Sequence, residues 1–568
     1  MATPLKLKSE RVGKTSLAHE RPYLSVLVDT GVYHLDQTYD YSLPAKYEIE
    51  AGNWVSVPFN GQNCQGLVVE RKESASTGKV LPINRAIKGP YISKAHLDLY
   101  LKISERWAVP IFDVLRFVLR NQIKSVHKTA NSDKVATRQY LQLAPNEDEA
   151  TQVHKFISKI AKSGPTLLVI PENRNLVHYQ HGSIDVGLRG SILNSNSYKN
   201  VVILREDSEH HYELKSPGFN TRDVALLRGQ ELNENLYFIG FSPSLEMMRL
   251  IEIGYVTLRK ASGKVKVVAR PSQMGELIPS NLLKEIRAAI GKGPILVLAP
   301  NKGYGLAISC AACRNIAKCK CGGKLTKRSK SSAPTCVLCS ALYEDWRCTF
   351  CGKADIYLLG RGIERIAEEF GRSFANTAIH IATAEKEISG EVSKRSIILA
   401  TVGAAPTLDY GLVLILEGML NSADLRSEER FLSMAMRHAA LAKGNVAMVE
   451  RDENPFVNAL IRWNPISLLS KILHEMQQNF LPPTTRYAIL KPEPSEVDRI
   501  YGGLLASVRE GRLPAGVSLH LLDSGVISLF FSHKEAEVTV RFLKEFQRKR
   551  SIAGKRILQM RIDPYLLG

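Results

Sequence analysis

Eight of the nine cysteines in this chain fall between Cys310 and Cys351. They are Cys310, Cys313, Cys319, Cys321, Cys336, Cys339, Cys348 and Cys351, set as three CxxC pairs and one CxC pair. Two thiolates at i and i+3 on a tight turn present their sulfurs at the roughly 2.3 Å reach of zinc, and four complete a closed tetrahedral site of the structural kind. Eight thiols in this short span predict two Zn²⁺ per chain. Gly322, Gly323 and Gly352 beside the pairs permit the left-handed turn that such knuckles use. The rival readings are an iron–sulfur site, although nothing here has ferredoxin spacing, and a disulfide cluster, which a reducing cytosol disfavours. Cys319-Lys320-Cys321 closes a tighter loop than a CxxC, so any distortion should fall on that site.

Lys318, Lys320, Lys324, Lys327, Arg328 and Lys330 crowd the same segment. They read either as charge balance for thiolates or as a surface for nucleic acid or a partner. The ninth cysteine, Cys64, sits in an apolar-alternating stretch and reads as a small buried hydrophobe.

The rest of the chain sets the scale. Its 568 residues exceed one hydrophobic core and suggest three to five domains. The 76 Lys and Arg outnumber the 56 Asp and Glu, for a net charge of +20, which draws polyanions over long range. No apolar run approaches the roughly 18–20 residues of a membrane span, and the N-terminus lacks the apolar stretch of a secretory signal. The expectation is a cytoplasmic protein with no membrane partner.

Short strands broken by turns (YLSVLVDT, TYDYSLP, NWVSVPF, CQGLVVERK) suggest a small β-rich domain to about residue 90. Helical spacing over 94–125, interrupted by Pro110, fits two or three helices of winged-helix size. The stretch KSVHKTANSDKVATRQ reads as a linker. Thereafter apolar runs alternate with helical segments: YLQLAP, TLLVIPE, NVVILRE and LYFIGFS, then ILVLAP, SIILAT, YGLVLILEG and VAMVE. That rhythm predicts two α/β lobes with parallel sheets, interrupted by the cysteine-rich insert. A mixed α/β tail follows residue 480. Near its end Arg541, Lys544, Arg548, Lys549, Arg550, Lys555 and Arg556 form either a phosphate-contacting surface or a solvated helix face. Each true phosphate contact would add about 0.9 to the salt slope on duplex DNA. His210, His211 and His438 read as surface or packing residues, and Phe530, Phe531 and Phe546 as core.

Several separated stretches carry a resemblance. TYDYSLP, GNWVSVPF and GLVVE open the chain. GYGLAISCAAC, CKCGG-KL, CVLC and WRCTFCG span the cysteines, and LLGRGIERIAEEF follows them. RDVALLR, NSADLRSEERF and a closing RIDP occur in the same order. Together they resemble PriA, the primosomal replication-restart family of bacteria, and most of all its divergent actinobacterial branch with eroded helicase motifs.

That resemblance implies an α/β multidomain protein. Its parts would be a flexible basic arm (1–22), a β-rich DNA-binding domain for a 3′ end (23–92) and a winged helix (93–128). Two degenerate helicase (RecA-like) lobes would follow (129–265, and 266–305 with 356–478), with a two-zinc module at 306–355 and an α+β C-terminal domain at 479–568. It implies nested zinc pairs: Cys310, Cys313, Cys348 and Cys351 on one ion, Cys319, Cys321, Cys336 and Cys339 on the other. It implies a 3′-end pocket at Tyr39 and Asp40, with Asn60, Gly61 and Arg85 as further matches. An aromatic ring gives a base a stacking face, and a carboxylate can accept from a free 3′-hydroxyl. The structural alternative makes Tyr39 and Tyr41 strand core and Asp40 a turn residue.

The motor motifs are absent. No GxxxxGK followed by Ser or Thr, whose amides and lysine would cradle phosphates, follows a strand. Gly13-Lys14-Thr15 has Lys8 in place of the first glycine, and Gly291-Lys292-Gly293 fails too. Where the resemblance places that loop stand Ala144-Pro145-Asn146-Glu147-Asp148-Glu149, three carboxylates that would repel a triphosphate. The family's D-E-E-H has become Arg205-Glu206-Asp207-Ser208, with a cation at the Mg²⁺-binding position. G-x-A-T-P-S-L-E has become Gly240-Phe241-Ser242-Pro243-Ser244-Leu245-Glu246. The arginine-finger run reads Ala435 to Ala442, with Arg437 out of register.

The leading expectation is a DNA-binding replication-restart protein without ATPase activity and without ATP or Mg²⁺ as cofactors. It would recognise stalled forks or single-strand/duplex junctions and help reload the replicative helicase. Other primosome proteins and the single-strand-binding protein would be its partners, in a nucleoid-associated setting. The alternatives are an active ATP-dependent 3′-to-5′ DNA helicase and a zinc-ribbon RNA-binding or transcription-linked protein. The last leaves TYDYSLP unexplained.

Overall fold

The computed structural model describes residues 16–565, apart from 77–79, 122–135, 181, 183, 272–277, 300–306, 328–331, 359–362, 384, 389–390, 417–423 and 451–453. The basic arm before residue 16, most of the expected linker, and Arg328 and Lys330 lie outside the described residues, as do the glycines of the LLGRG stretch and Asn421 to Ala423.

Alternating apolar residues build the first sheet, antiparallel throughout, from Tyr23–Val28, Thr38–Ser42, Trp54–Phe59, Gln62–Lys72 and Arg85–Ile87. Leu24, Val26, Tyr41, Val55, Val57 and Val68 bury its inner face. Thr38–Ser42 and Arg85–Ile87 are the two edges. The chain just before the last strand curls back to the first edge, with Ser42 N donating to Leu81 O at 2.9 Å and Ile83 N to Ser42 O at 3.1 Å. Asn60 and Gly61 have φ of 46° and 75°. Two consecutive positive φ values make the tight hairpin turn that Asn-Gly favours, here between Trp54–Phe59 and Gln62–Lys72.

Helix Lys94–Arg106 starts at Ser93, whose side chain accepts from His96 N, and helix Ile111–Arg120 starts directly after Pro110. Their apolar faces, including Tyr100, Ile103, Phe112 and Leu115, enter one core with the next sheet and the C-terminal region.

Two six-stranded sheets follow, parallel in every pairing. The first contains Arg138–Gln142, Thr166–Val169, Asn200–Leu204 and Asn235–Gly240. The second contains Ile295–Ala299, Ser396–Thr401, Tyr410–Ile415 and Ala442–Met448. These are the eight apolar runs of the sequence, four to a lobe. Ile295–Ala299 is buried at every position, as expected of a strand covered on both faces. The cysteine-rich segment leaves the second lobe after Ile295–Ala299 and rejoins it at helix Ile363–Ser373. A four-stranded antiparallel sheet from Thr485–Lys491, Ser518–Leu521, Ile527–Ser532 and Gln559–Ile562 closes the chain, covered by helix Ala536–Ile552. Phe530 and Phe531 are buried in it and Phe546 is partly buried. Among the described residues no helix is long and apolar enough to cross a membrane.

Candidate metal centres, DNA-binding surface and interlobe cleft

The eight cysteines gather into two groups of four. Cys310, Cys313, Cys348 and Cys351 form one, and Cys319, Cys321, Cys336 and Cys339 the other, each with its sulfurs within 4.8 Å of one another. Short edges include Cys310–Cys351 at 3.5 Å, Cys313–Cys348 at 3.4 Å, Cys319–Cys339 at 3.6 Å and Cys321–Cys336 at 3.5 Å. Four sulfurs at the zinc distance stand about 3.8 Å apart along a tetrahedral edge, so both groups are of a size to hold a metal ion.

Three knuckles share one backbone form. The carbonyls of Cys310, Cys336 and Cys348 accept the amides of Arg314, Ser340 and Gly352, four residues on, at 2.9, 3.1 and 2.9 Å. Those three residues have φ of 60°, 56° and 72°. The CxC knuckle accomplishes the same turn one residue sooner. Gly322, with φ of 84°, donates to Cys319 O at 2.9 Å, and Cys319 N donates to Gly323 O at 2.7 Å. The missing residue is absorbed by the glycine, and both sulfurs still face their partners.

The module is packed into the chain. Cys310, Cys319, Leu325, Cys336, Trp346 and Cys348 belong to the same apolar core as the two lobes. Lys324, one of the six basic residues, is buried with its ammonium on Ser427 Oγ. Lys318 pairs with Glu475 at 3.2 Å. Of the basic cluster, these two are spent on docking.

The five residues singled out for DNA do not form one constellation. Tyr39 is half-buried on the edge strand, its ring edge-on to Phe59 at 4.9 Å and its hydroxyl donating to Leu35 O at 3.2 Å. Phe59 leads into the Asn60-Gly61 turn, so these sit on one side. Asp40, next along the strand, points to the other face. It accepts from Ser76 N at 2.6 Å and from Lys72 Nζ at 3.2 Å. Burial works to raise its carboxyl, but those donors hold it below the usual range. Arg85 is exposed on the opposite edge strand. Lys72, Ser76 and Phe59 escaped the sequence reading; the register of Tyr23–Val28 with Thr38–Ser42 and Gln62–Lys72 brings Lys72 to Asp40, Ser76 follows it four residues on, and Phe59 reaches Tyr39 from the end of Trp54–Phe59. Cys64 is partly buried, and burial raises its thiol.

Most C-terminal basic residues have internal partners. Arg541 pairs with Glu537, Arg548 with Glu545 at 3.1 Å, Arg556 with Glu493 at 2.8 Å, and buried Arg550 with Glu496 at 2.7 Å. Lys544 donates to Ser104 Oγ at 3.1 Å. His211 and His438 are buried packing residues that bond Leu204 O and Met434 O, each at 2.8 Å.

The segment Ala144–Glu149 is filled by its own side chains. Asp148 caps helix Glu149–Ile160 by accepting from Thr151 N at 2.8 Å. Gln152 folds back, accepting from Ala144 N at 2.8 Å and donating to the carbonyls of Ala144 and Glu147, each at 3.0 Å. The helix N-terminus, where a phosphate would bind, is thus already satisfied by a carboxylate. Beside it Arg205 is buried with φ of 50°, paired to Glu172 and lying 3.5 Å from Glu149. Glu206 is buried, accepting from Ser244 N and Oγ, each at 2.8 Å, and from Arg222 at 3.3 Å. Burial pushes its carboxyl up to about 7. The cavity there, about 320 Å³, lies between both lobes and the C-terminal sheet and is lined by Glu206, Arg222, Glu246, Arg426, Arg486 and Tyr565.

Residues 25–120 match the family described as the 3′DNA-binding domain (3′BD). The "Probable replication restart protein PriA" of Mycobacterium tuberculosis is 26% identical over 580 residues, covering 85% of this chain and 88% of that protein. Its Mycobacterium leprae counterpart is 25% identical over 583 residues with the same coverage. The "Replication restart protein PriA" of Haemophilus influenzae is 22% identical over 350 residues, 56% of this chain and 48% of that one. Among solved structures, S. cerevisiae Dbp5 bound to RNA and ADP BeF3 aligns over 68% of this chain and 92% of that one, at 10% identity and a TM-score of 0.27.

Proposed function

From the membership of this chain in the PriA family of replication restart proteins, we infer a protein that binds branched or forked DNA and acts in restart without hydrolysing ATP. The observation that carries this reading is the state of the phosphate-cradle position. Asp148 occupies the helix N-terminus, Gln152 fills the loop, and Arg205 stands where a metal-holding carboxylate would be. A triphosphate entering there meets Glu147, Asp148 and Glu149. Two lobes without a working nucleotide site remain useful as a rigid platform for the DNA-binding and cysteine-rich parts.

In this reading both Cys₄ groups hold Zn²⁺. An all-thiolate, closed tetrahedral set suits zinc and leaves no position open for catalysis. In this reading the domain bounds are those the resemblance implies. Residues 25–120 engage a 3′ end at the edge strand Thr38–Ser42, with Asp40 as a hydroxyl acceptor on one face and the Tyr39 ring as a stacking surface on the other. To accept from a 3′-hydroxyl, Asp40 must exchange its bond from Ser76 or Lys72 for one from DNA. The partners are forked DNA, the replicative helicase, other primosome proteins and the single-strand-binding protein.

Single-turnover ATP hydrolysis with a forked DNA tests the reading: no stimulated hydrolysis is expected, and stimulation would make the chain an ATP-dependent 3′-to-5′ helicase instead. Fork binding with a 3′-hydroxyl against a 3′-phosphate, in wild type and Asp40→Ala, tests the pocket. Wild type should prefer the hydroxyl and the variant should not; a wild type without preference removes the assignment.

A further inference from the structure

Helix Ser427–Ala439 and the residue before it carry Arg426, Arg430, Ser433 and Arg437, spaced by four, three and four. Residues so spaced share one side of an α-helix. Each of the four meets a carboxylate of the first lobe. Arg426 grips Glu246 through both terminal nitrogens, at 3.0 Å through Nη1. Arg430 reaches Glu209 at 3.2 Å, Ser433 donates to Asp207, and Arg437 lies 3.7 Å from Glu172. The row spans the whole helix and crosses the cleft between the lobes.

The same helix holds the other parts of the chain. Its first residue, Ser427, receives the buried ammonium of Lys324 from the cysteine-rich module. Arg426 Nε donates to Tyr565 O at 2.8 Å, its guanidinium lies over the Tyr565 ring at 5.1 Å, and the Tyr565 hydroxyl donates to Asp207 O at 3.3 Å. First lobe, second lobe, cysteine-rich module and C-terminal sheet therefore meet on one helix.

In an ATP motor, cations of one lobe are drawn to another by phosphate charge, and the contact is broken when that charge leaves. Here the anions are Glu172, Asp207, Glu209 and Glu246, which cannot leave. We propose that helix Ser427–Ala439 is a permanent clasp, in which carboxylates of the first lobe stand in for nucleotide phosphates and keep the lobes closed. The proposal rests on the reading of the lobes as a non-hydrolysing platform. Its consequence is that the cysteine-rich module and the C-terminal sheet are presented to DNA in one fixed relation, before any ligand binds. Arg426 and Glu246, with 11% and 20% of their side chains exposed, are largely buried, so added salt screens that pair only weakly.

The test uses the full-length protein, with small-angle scattering and hydrogen exchange of the 427–439 amides. Wild type should give the same radius of gyration and the same exchange with and without millimolar ATP–Mg²⁺. Ser433→Asp sets a like charge against Asp207 and should enlarge the particle and raise the exchange of those amides at least 10-fold. Adding Asp207→Ser should restore both. Should Ser433→Asp not fold, the swap decides: Arg430→Glu should open the cleft and Arg430→Glu with Glu209→Arg should close it. Variants that scatter and exchange like wild type, or swaps that fail to restore, overturn the clasp. The two readings fail separately. Fork-stimulated ATP hydrolysis in a protein that Ser433→Asp still opens supports the clasp and sinks the non-hydrolysing reading. Absent hydrolysis with an unresponsive cleft does the reverse.

Discussion

Tyr343 donates its hydroxyl to Sγ of Cys319 at 3.1 Å, and the same oxygen accepts the amide of Lys320 at 3.4 Å. One side chain thus braces the short CxC loop at both its first sulfur and its middle residue. Ligand sulfurs held by outer partners bind metal more tightly, and losing such a partner typically costs about 10–100-fold in affinity. Tyr343→Phe should keep the fold and lower the affinity of the Cys319-Cys321-Cys336-Cys339 group by about that factor. Competition with a chromophoric chelator would show one ion per chain released early in the variant and both released late in wild type.

Gly322 makes the shortened loop possible. Its φ of 84° is strained for any side chain, and a Cβ there would meet Leu481 Cδ1 at 2.9 Å and Asn479 at 3.1 Å. Left-handed backbone costs an L-residue roughly 1–2 kcal/mol before the clash is counted. Gly322→Ala should therefore drop the zinc content measured by elemental analysis from two towards one. Gly352→Ala, where a Cβ would meet nothing within 4 Å, should lose less.

What the sequence made legible follows the range of the interaction. The strands were readable because each apolar run is its own signal, and the knuckles because cysteine spacing is local. The Asn60-Gly61 pair carries a local signal too, that of a two-residue hairpin turn. Lys324 shows the opposite case. In the string it is one of six basic residues, and only the fold sets it beside Ser427, with Asp424 and Glu428 nearby. Arg205 likewise reads as a lost carboxylate, and its partners Glu172 and Glu149 come from 33 and 56 positions away in the chain. Contacts of that span leave no periodic trace.

Among the groups that make stability depend on pH are two carboxyls shifted in opposite directions. Burial acts to raise Glu172, but Arg205 and Arg437 hold it down to about 2. Its contribution is complete above the ordinary carboxyl value of 4.5 and is lost as pH falls from there towards 2. Glu206, raised by burial to about 7, favours the proton in the folded state. Its contribution is complete below 4.5 and is lost as pH rises through 7. Buried His96, His211, His438 and Glu429 are shifted as well, so each carboxyl is read as a difference between variant and wild type. Between pH 5 and pH 7, Glu206→Gln should gain up to about 3 kcal/mol of unfolding free energy relative to wild type, at 1.36 kcal/mol per unit, and the difference should be constant below 4.5. An unaltered profile above pH 5 would count against Glu206 as its source.

Arg228 and Glu234 form a fully buried ion pair in the first lobe, at 2.7 Å with neither side chain exposed. Arg228 also donates to the carbonyls of Ile192, Asn194 and Asn196 at 3.1, 2.9 and 2.8 Å, while Glu234 accepts from Tyr198 N at 2.9 Å. The pair therefore pins the 192–198 loop to helix Thr221–Glu231. Removing one partner of such a pair leaves a buried charge uncompensated, at about 3–5 kcal/mol. Arg228→Met should lower the unfolding free energy from urea titration by that amount at unchanged slope. Arg228→Met with Glu234→Gln removes both charges, yet it leaves three buried carbonyls short of a donor at about 1 kcal/mol or more each. The double variant should recover part of the loss and no more. Full recovery would mean that the carbonyl bonds add nothing, and that the loop is held by apolar packing alone.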